Sequence, residues 1–363
     1  MSYLTDYVVY LRPALLATCA FGACRFLYSL LTRSGFPKWH LQDKTVVITG
    51  ASQGIGRSLA FEFHKNGAKV VLLARSLDKL KELAQELQNA NPQNANQPEY
   101  QYLDLANPNG MDDLVKLSQS GQIDILINNA GFATHGSCAD TTLETYQQSM
   151  QVNYLGHVAV THALLPFMSR GASVVCINSI QGKFAIPYRS AYGAAKHATV
   201  AHFDALRAEL SDWLHVLNVC PGYVDTNLSQ NAMSGTGRVL GVSDDRLKTG
   251  MSPEYVAQQI LKAVVNRKQE LILAPLAPRV AYWLRFLMPD LYFAVMARRA
   301  YAKQKGYIKV NDSKWKRDFE KAKRAIADEL QSPDHNEIVQ FLQDNLYLVG
   351  GFTGGFLIGV GIS

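Results

Sequence analysis

From Asp43 onward, short β-branched runs alternate with amphipathic stretches. Residues 44–49 (Lys-Thr-Val-Val-Ile-Thr) form the unbroken run expected of a strand buried on both faces of a parallel sheet. A glycine-rich turn (49–56) follows, then a helical pattern through Asn66 and a second strand at 69–74, which together make a βαβ unit. The alternation continues with a helix at 77–88, a polar loop at 89–98, a strand ending near Asp104 and a helix at 112–118. A strand at 123–127, helices within 143–169 and a strand at 173–178 come next. The helix carrying Tyr192 runs towards Trp213, and strands at 215–219 and 270–273 flank a helix at 253–266. Seven strands alternating with six helical regions predict an α/β fold built on a doubly wound parallel sheet.

Both ends depart from this pattern. Residues 13–31 are apolar except for Arg25 and are bounded by Arg12, Arg33 and Lys38, a length suited to crossing a bilayer. A cleaved leader or an interfacial helix would have similar composition, but no small-residue cleavage site precedes Arg33, which favours a retained anchor. Basic residues after the span place the following domain in the cytosol. Residues 275–296 are rich in Leu, Phe, Tyr and Trp but interrupted by arginines and prolines, as in a lid packed on the domain or a pair of interfacial helices. Residues 303–330 read as a basic helical linker, and 346–362 as an uncharged segment with G-x-x-x-G spacings that suit a short membrane helix. The expected organisation is therefore an anchor and linker (1–42), a catalytic α/β domain (43–274), a membrane-associated or lid segment (275–302) and a basic linker with a membrane tail (303–363).

Composition adds two constraints. Apolar residues make up 48% and charged residues 18%, and the net charge of +6 is concentrated between Arg298 and Arg324. That concentration favours an anionic membrane surface over nucleic acid, for which no motif is present. Five cysteines (Cys19, Cys24, Cys138, Cys176, Cys220) lack metal spacing; with Cys176 and Cys220 inside apolar strands, they point to a reducing compartment without disulfides.

Candidate chemistry lies in three places. Gly50, Gly54 and Gly56 separate strand from helix, so the backbone can turn tightly and bring helix N-terminal amides to a pyrophosphate. The second strand ends in Ala74-Arg75, where an NAD site would place an acid; Arg75, helped by Ser52, suits a 2′-phosphate instead and predicts NADP(H). Tyr192 and Lys196 are four apart on a helix, so they share a face and the ammonium favours the phenolate form.

Taken together, Thr49-Gly-Ala-Ser-Gln-Gly-Ile-Gly56, Asp104-Leu105, Asn128-Asn-Ala-Gly131, Asn153, Ser179, Tyr192-Gly-Ala-Ala-Lys196 and Pro221-Gly222 resemble the short-chain dehydrogenase/reductase family over about 43–273. The resemblance implies a Rossmann-like fold in which Tyr192 is the general acid, Ser179 binds the substrate oxygen, Lys196 holds the nicotinamide ribose, and Asn153 keeps a water linking Lys196 to solvent. It implies that Gly50, Ser52, Gln53, Gly54, Ile55, Gly56 and Arg75 hold the phosphates. Asp104 and Leu105 would meet the adenine, Asn129, Ala130 and Gly131 would line the adenosine pocket, and Pro221, Gly222, Val224 and Thr226 would seat the nicotinamide. Residues 178–183, 186–192, 196–199 and 221–229 resemble a membrane-anchored branch described as NADPH-dependent acyl-dihydroxyacetone-phosphate reductases of ether-lipid synthesis, at endoplasmic reticulum and peroxisome. Lys183 and Arg189 are candidate phosphate contacts. A retinoid or steroid substrate, or a non-catalytic membrane adaptor, are the alternative readings, and homodimers or homotetramers are the family expectation. From Gly306 the tail resembles the C-terminal half of the FUN-fourteen family of the mitochondrial outer membrane, which adds that membrane as a location.

Overall fold

The computed structural model describes residues 40–107, 111, 113–114, 122–228, 231–241 and 249–307. The expected membrane segments (13–31 and 346–362), and all of the helix expected at 112–118 except residues 113–114, lie outside these residues. Among the described residues, no helix is long and apolar enough to cross a membrane.

The first strand, β1 (Thr45–Thr49), is buried throughout. It leads through the glycine turn into α1 (Gly54–Lys65), β2 (Lys69–Ala74), α2 (Leu77–Ala90) and β3 (Glu99–Tyr102). Strand β4 (Ile123–Asn128) is again wholly buried, and a two-residue β5 (Thr134–His135) follows it. Helix α3 (Leu143–Met150) passes through a π turn (Gln151–Leu155) into α4 (Gly156–Leu164). Then come β6 (Met168–Ile177), α5 (Ser190–Glu209), β7 (His215–Pro221), the short β8 (Met233–Ser234), α6 (Pro253–Val265), β9 (Glu270–Leu273) and α7 (Leu276–Leu287). A last helix, α8 (Pro289–Tyr307), falls almost wholly in a second compact unit that begins at Asp290.

Seven strands pair in parallel in the order β3-β2-β1-β4-β6-β7-β9, and β5 pairs with β8 in a separate two-stranded sheet. The parallel sheet is the one expected from the hydrophobic runs. Alternation along β1 sends Val46 and Ile48 to one face and Val47 to the other. The first face packs on Leu59 and Phe63 of α1, Leu80 and Leu83 of α2, and Val256 and Ile260 of α6. The second packs on Val160 and Leu164 of α4 and Phe203 and Leu206 of α5. Strand order reverses between β1 and β4, which makes the carboxyl edge there a crevice for a ligand.

The boundaries differ from the sequence expectation where local chemistry intervenes. Pro166 ends the helical run in a 3-10 turn (Leu165–Phe167), and β6 begins at Met168, which pairs with Ile123 across a register shift. The loop at 89–98 is polar but not all surface: buried Asn94 donates to the carbonyls of His64 and Ala68, tying the loop to the end of α1. Segment 275–296 forms α7 and the start of α8; no residue of α7 is buried, whereas Tyr292 of α8 is 2% exposed. Cys138, Cys176 and Cys220 are free thiols, and burial pushes Cys176 and Cys220 up to about 12, as inert apolar residues.

At the opposite edge of the sheet, His215 on β7 accepts from Ser173 at Nδ1 (2.9 Å) and donates from Nε2 to the Lys268 carbonyl (2.9 Å). Arg267 donates to the same serine hydroxyl and to the Gly171 carbonyl. Burial first, and then the Arg267 charge, lower the His215 pKa to about 4.

Candidate active site

The crevice at the strand-order reversal is built around one hydroxyl. Thr49, the last residue of β1, accepts at Oγ1 from the amides of Asn129 (2.9 Å) and Ala130 (3.1 Å) and donates to the Ile127 carbonyl (3.3 Å). The hydroxyl's one donor and two acceptor sites are thus all used. In return, the Asn129 side-chain amide donates to the carbonyls of Thr49 (2.9 Å) and Gly50 (3.2 Å). Asn129, expected to line an adenosine pocket, therefore spends its amide on holding the glycine turn against the end of β4.

That turn leaves no room for side chains. Gly50 has φ +66°, and a Cβ there would lie 2.7 Å from the Ala130 Cα. A Cβ on Gly56 would meet the Gly50 carbonyl oxygen at 2.3 Å. Gln53 flanks α1 with no side-chain cap, and the first turn of that helix holds no acid, so its amides and positive dipole end lack an internal anion. Gly54 has φ +56°, and a Cβ there would come within 3.2 Å of Thr226 from the loop after β7. Ser52 and Ile55 are half-buried in the turn, while Arg75 is exposed at the end of β2. Glycine cradle, uncapped helix N-terminus and neighbouring arginine fit the phosphates of a dinucleotide.

The tyrosine expected to act as general acid lies beyond Gly131. Tyr192, 6% exposed on the first turn of α5, is anchored by its amide to Thr134 Oγ1 (3.0 Å). Lys196, one turn on and 3% exposed, donates from Nζ to the Ile177 carbonyl (3.0 Å) and lies 5.7 Å from the Tyr192 ring centroid. Ser179 follows β6, and its Oγ accepts from the Gln181 amide (3.1 Å), leaving the hydroxyl proton to donate elsewhere. Asn153 sits in the π turn, where it grips Phe132 through both side-chain atoms and reaches back to Ser149. A Cβ on Gly131 would be 2.6 Å from Asn153 Oδ1 and 3.8 Å from Lys196 Nζ, so both groups flank this glycine.

The sequence model of the family described as short chain dehydrogenase matches residues 44–236. The dehydrogenase/reductase SDR family member 7B of Xenopus laevis is 43% identical over 315 residues, 84% of this chain and 95% of its own. The chain belongs to the short-chain dehydrogenase/reductase family. Another relative, the dehydrogenase/reductase SDR family protein 7-like of Anopheles gambiae, is 44% identical over 267 residues, 72% of this chain and 84% of its own. An alcohol dehydrogenase from the archaeon Thermococcus sibiricus, complexed with 5-hydroxy-NADP, superposes with a TM-score of 0.55 at 25% identity over 64% of this chain and 96% of that one. A short chain dehydrogenase from Escherichia coli CFT073, complexed with NADPH, gives 0.56 at 26% over 66% and 99%. Residues 294–360 match the FUN14 family.

The remaining expected positions surround this short-chain dehydrogenase/reductase centre. Asp104 accepts from the Ala106 amide at the rim, whereas Leu105 turns its side chain into the core beside Gly156. Pro221 ends β7, Gly222 donates to the Leu273 carbonyl (2.7 Å), and Val224 is buried. Lys183 forms an ion pair with Glu270 on β9, and Arg189 is buried at the start of α5, so Lys183 in particular is already engaged. Sequence reasoning missed Thr49 and Thr134, whose hydroxyls position the glycine turn and Tyr192, and Thr199, whose hydroxyl lies 2.8 Å from the Asn153 carbonyl. It also missed His157, buried beneath the site, which donates from Nε2 to the Ala130 carbonyl (2.7 Å). Burial and then the Lys196 charge lower the His157 pKa to about 3. Only the position of Thr199, three residues after Lys196, was a readable signal, and it has no meaning until the helices pack.

Two outcomes follow from this geometry. Gly56→Ala would drive a methyl into the main-chain oxygen of Gly50, which cannot move without dismantling the turn, and should cost roughly 1–3 kcal/mol; an unchanged urea midpoint would contradict the packing. His157 and His215 have folded pKa values below the unfolded value of about 6.5, so the unfolded chain binds protons first as pH falls. Their stabilisation is complete above pH 6.5 and is lost towards pH 4, at up to about 1.4 kcal/mol per pH unit for each proton. Urea titrations at pH 7, 6 and 5 should give falling midpoints, and a flat profile would show that neither histidine is held neutral.

Proposed function

We propose that this chain is a membrane-anchored, NADP(H)-dependent carbonyl reductase or alcohol dehydrogenase acting on a lipid-like ketone or secondary alcohol. The observation that carries this reading is the placement of Lys196 beside the Tyr192 ring and of Lys196 and Asn153 about Gly131, in the loop tied to the glycine cradle, with Ser179 just after β6. When bound, the nicotinamide dinucleotide supplies or accepts the hydride. In the reductive direction Tyr192 gives its phenolic proton to the substrate oxygen, and Ser179 donates a hydrogen bond to that oxygen as charge develops on it. The buried ammonium of Lys196 stabilises the phenolate that remains.

A preference for NADP(H) is supported by Arg75 at the end of β2, with no acid at that strand end to bind a 2′-hydroxyl. It is supported too by the 5-hydroxy-NADP and NADPH bound in the two solved relatives. An apolar substrate is supported by the surroundings of Tyr192, which packs with Ala133 and Ala232 and is bordered by Leu228 and Leu240. Resemblance to the ether-lipid branch makes acyl-dihydroxyacetone phosphate the substrate to test first, at the cytosolic face of endoplasmic reticulum or peroxisome, with the mitochondrial outer membrane as the site suggested by the tail. Such a substrate would find its phosphate contact away from Lys183, which is paired with Glu270.

The test is NADPH consumption by the detergent-solubilised chain offered acyl-dihydroxyacetone phosphate. Tyr192→Phe should lower turnover by roughly 10²–10⁴-fold, the usual worth of a positioned acid. NADPH binding without turnover would remove this substrate in favour of a retinoid or steroid, and no binding would remove the enzyme. Arg75→Ala should lower kcat/KM for NADPH by about 10–100-fold, corresponding to a lost charge-assisted contact, and leave NADH unaffected. Equal losses with both cofactors would place Arg75 away from the 2′-phosphate.

A further inference from the structure

Helix α7 presents an apolar face that is left exposed among the described residues. Leu276, Val280, Trp283 and Leu287 recur at intervals of four, three and four residues and so form one stripe, and they are 61%, 52%, 60% and 74% exposed. Phe286, 64% exposed, widens it. None of the twelve residues of this helix is buried, although the sheet beside it is packed on both faces. An exposed apolar surface of this kind marks a contact with something else.

The chemistry of the helix selects the occupant. Its two charged residues, Arg279 and Arg285, are both exposed and both basic, and no acid lies within it. Arg279 also donates to the Ile272 carbonyl at the end of β9, which fixes the helix at that edge of the sheet. A second copy of α7 laid against the first would bring arginines together with no carboxylate to meet them. An anionic bilayer meets both demands: acyl chains accept Leu, Val and Phe, the interface accepts Trp283 and Tyr282, and headgroups accept the arginines. At 1.5 Å per residue the helix is about 18 Å long, too short to cross a hydrocarbon core of about 30 Å, so it would lie in the plane of the surface.

We propose that α7 is an interfacial docking helix that seats the carboxyl edge of the sheet, and with it the mouth of the substrate crevice, on an anionic phospholipid surface. The connection is short. Gly222 donates to Leu273 immediately before α7, and the loop it begins reaches Thr226 over the start of α1. A ketone dissolved in the bilayer would then enter beside the anchored edge without crossing bulk water. This delivery role rests on the lipid-like substrate proposed above, whereas the docking face does not.

The test uses the full chain reconstituted in vesicles of phosphatidylcholine with phosphatidylserine, with brominated phosphatidylcholine as the quencher. Subtracting the emission of Trp283→Phe isolates the Trp283 signal from the other tryptophans. Loss of most of that signal in anionic vesicles is the expected result, with a smaller loss when phosphatidylserine is omitted or when Arg279→Glu and Arg285→Glu are combined. A Trp283 signal that brominated lipid leaves intact would overturn the proposal. Quenching by aqueous iodide would then show a solvated helix, and protection from both quenchers would show cover by another part of the chain or by a protein. Leu287→Ser with Phe286→Ser provides a second variant, in which quenching of Trp283 should weaken. NADPH consumption without quenching would remove the docking face and keep the reductase, and quenching without NADPH consumption would do the reverse.

Discussion

Everything at the carboxyl edge depends on the threonine hydroxyl at the end of β1. Thr49 Oγ1 takes two amides from the start of the loop after β4 and gives its proton back to that strand, while Asn129 returns two side-chain hydrogen bonds to the glycine turn. Neighbouring strands whose chains leave in opposite directions would otherwise splay at this point. The cross-links bring the backbone of Gly50 to the backbone of Ala130 so closely that no side chain fits between them. The N-terminus of α1 is thereby left open, uncapped and unscreened by acid. A dinucleotide site is thus a consequence of how two strand ends are tied.

The same loop carries the constraint onward. Phe132, three residues beyond Asn129, is gripped by Asn153, and Asn153 occupies a π turn whose main chain meets the Thr199 hydroxyl on α5. Thr134, two residues further, holds the amide of Tyr192. Cradle and Tyr192 therefore share one short stretch, and a shift of either would move the other. The apolar closure of Tyr192 by Ala232, Leu228 and Leu240 is added from the loop after β7.

Much of this was legible in the sequence because it is written in local periodicity. An unbroken β-branched run announced β1, short apolar runs announced β2 and β4, and the glycine spacing announced the turn. The four-residue interval from Tyr192 to Lys196 needed only a helix to become a shared face. What was not legible depends on side chains meeting across the fold. The π turn at Asn153 adds one residue to a helix and leaves no trace in hydrophobic spacing. Asn94 reads as an ordinary loop residue until its amide closes the end of α1. The β5 and β8 strands are two residues each, too short for alternation to register. For α7 the sequence left a packed lid and an interfacial helix equally open, because composition is the same for both; in the structure none of its residues is buried.

The electrostatics of Lys196 show why the site uses a lysine in this setting. A buried ammonium is costly unless it is satisfied, and a carboxylate would satisfy it best. Among the described residues Lys196 has no such ion pair; it donates to the carbonyl of Ile177. A carbonyl dipole accepts a hydrogen bond without cancelling the charge, so a positive field remains directed at the nearby phenol. The neighbouring imidazole is consistent with this arrangement. His157 is driven neutral by burial and by Lys196 itself, so it contributes a hydrogen bond to Ala130 without a competing charge. Among the described residues the Lys196 charge thus lies beside the Tyr192 ring with no carboxylate paired to it.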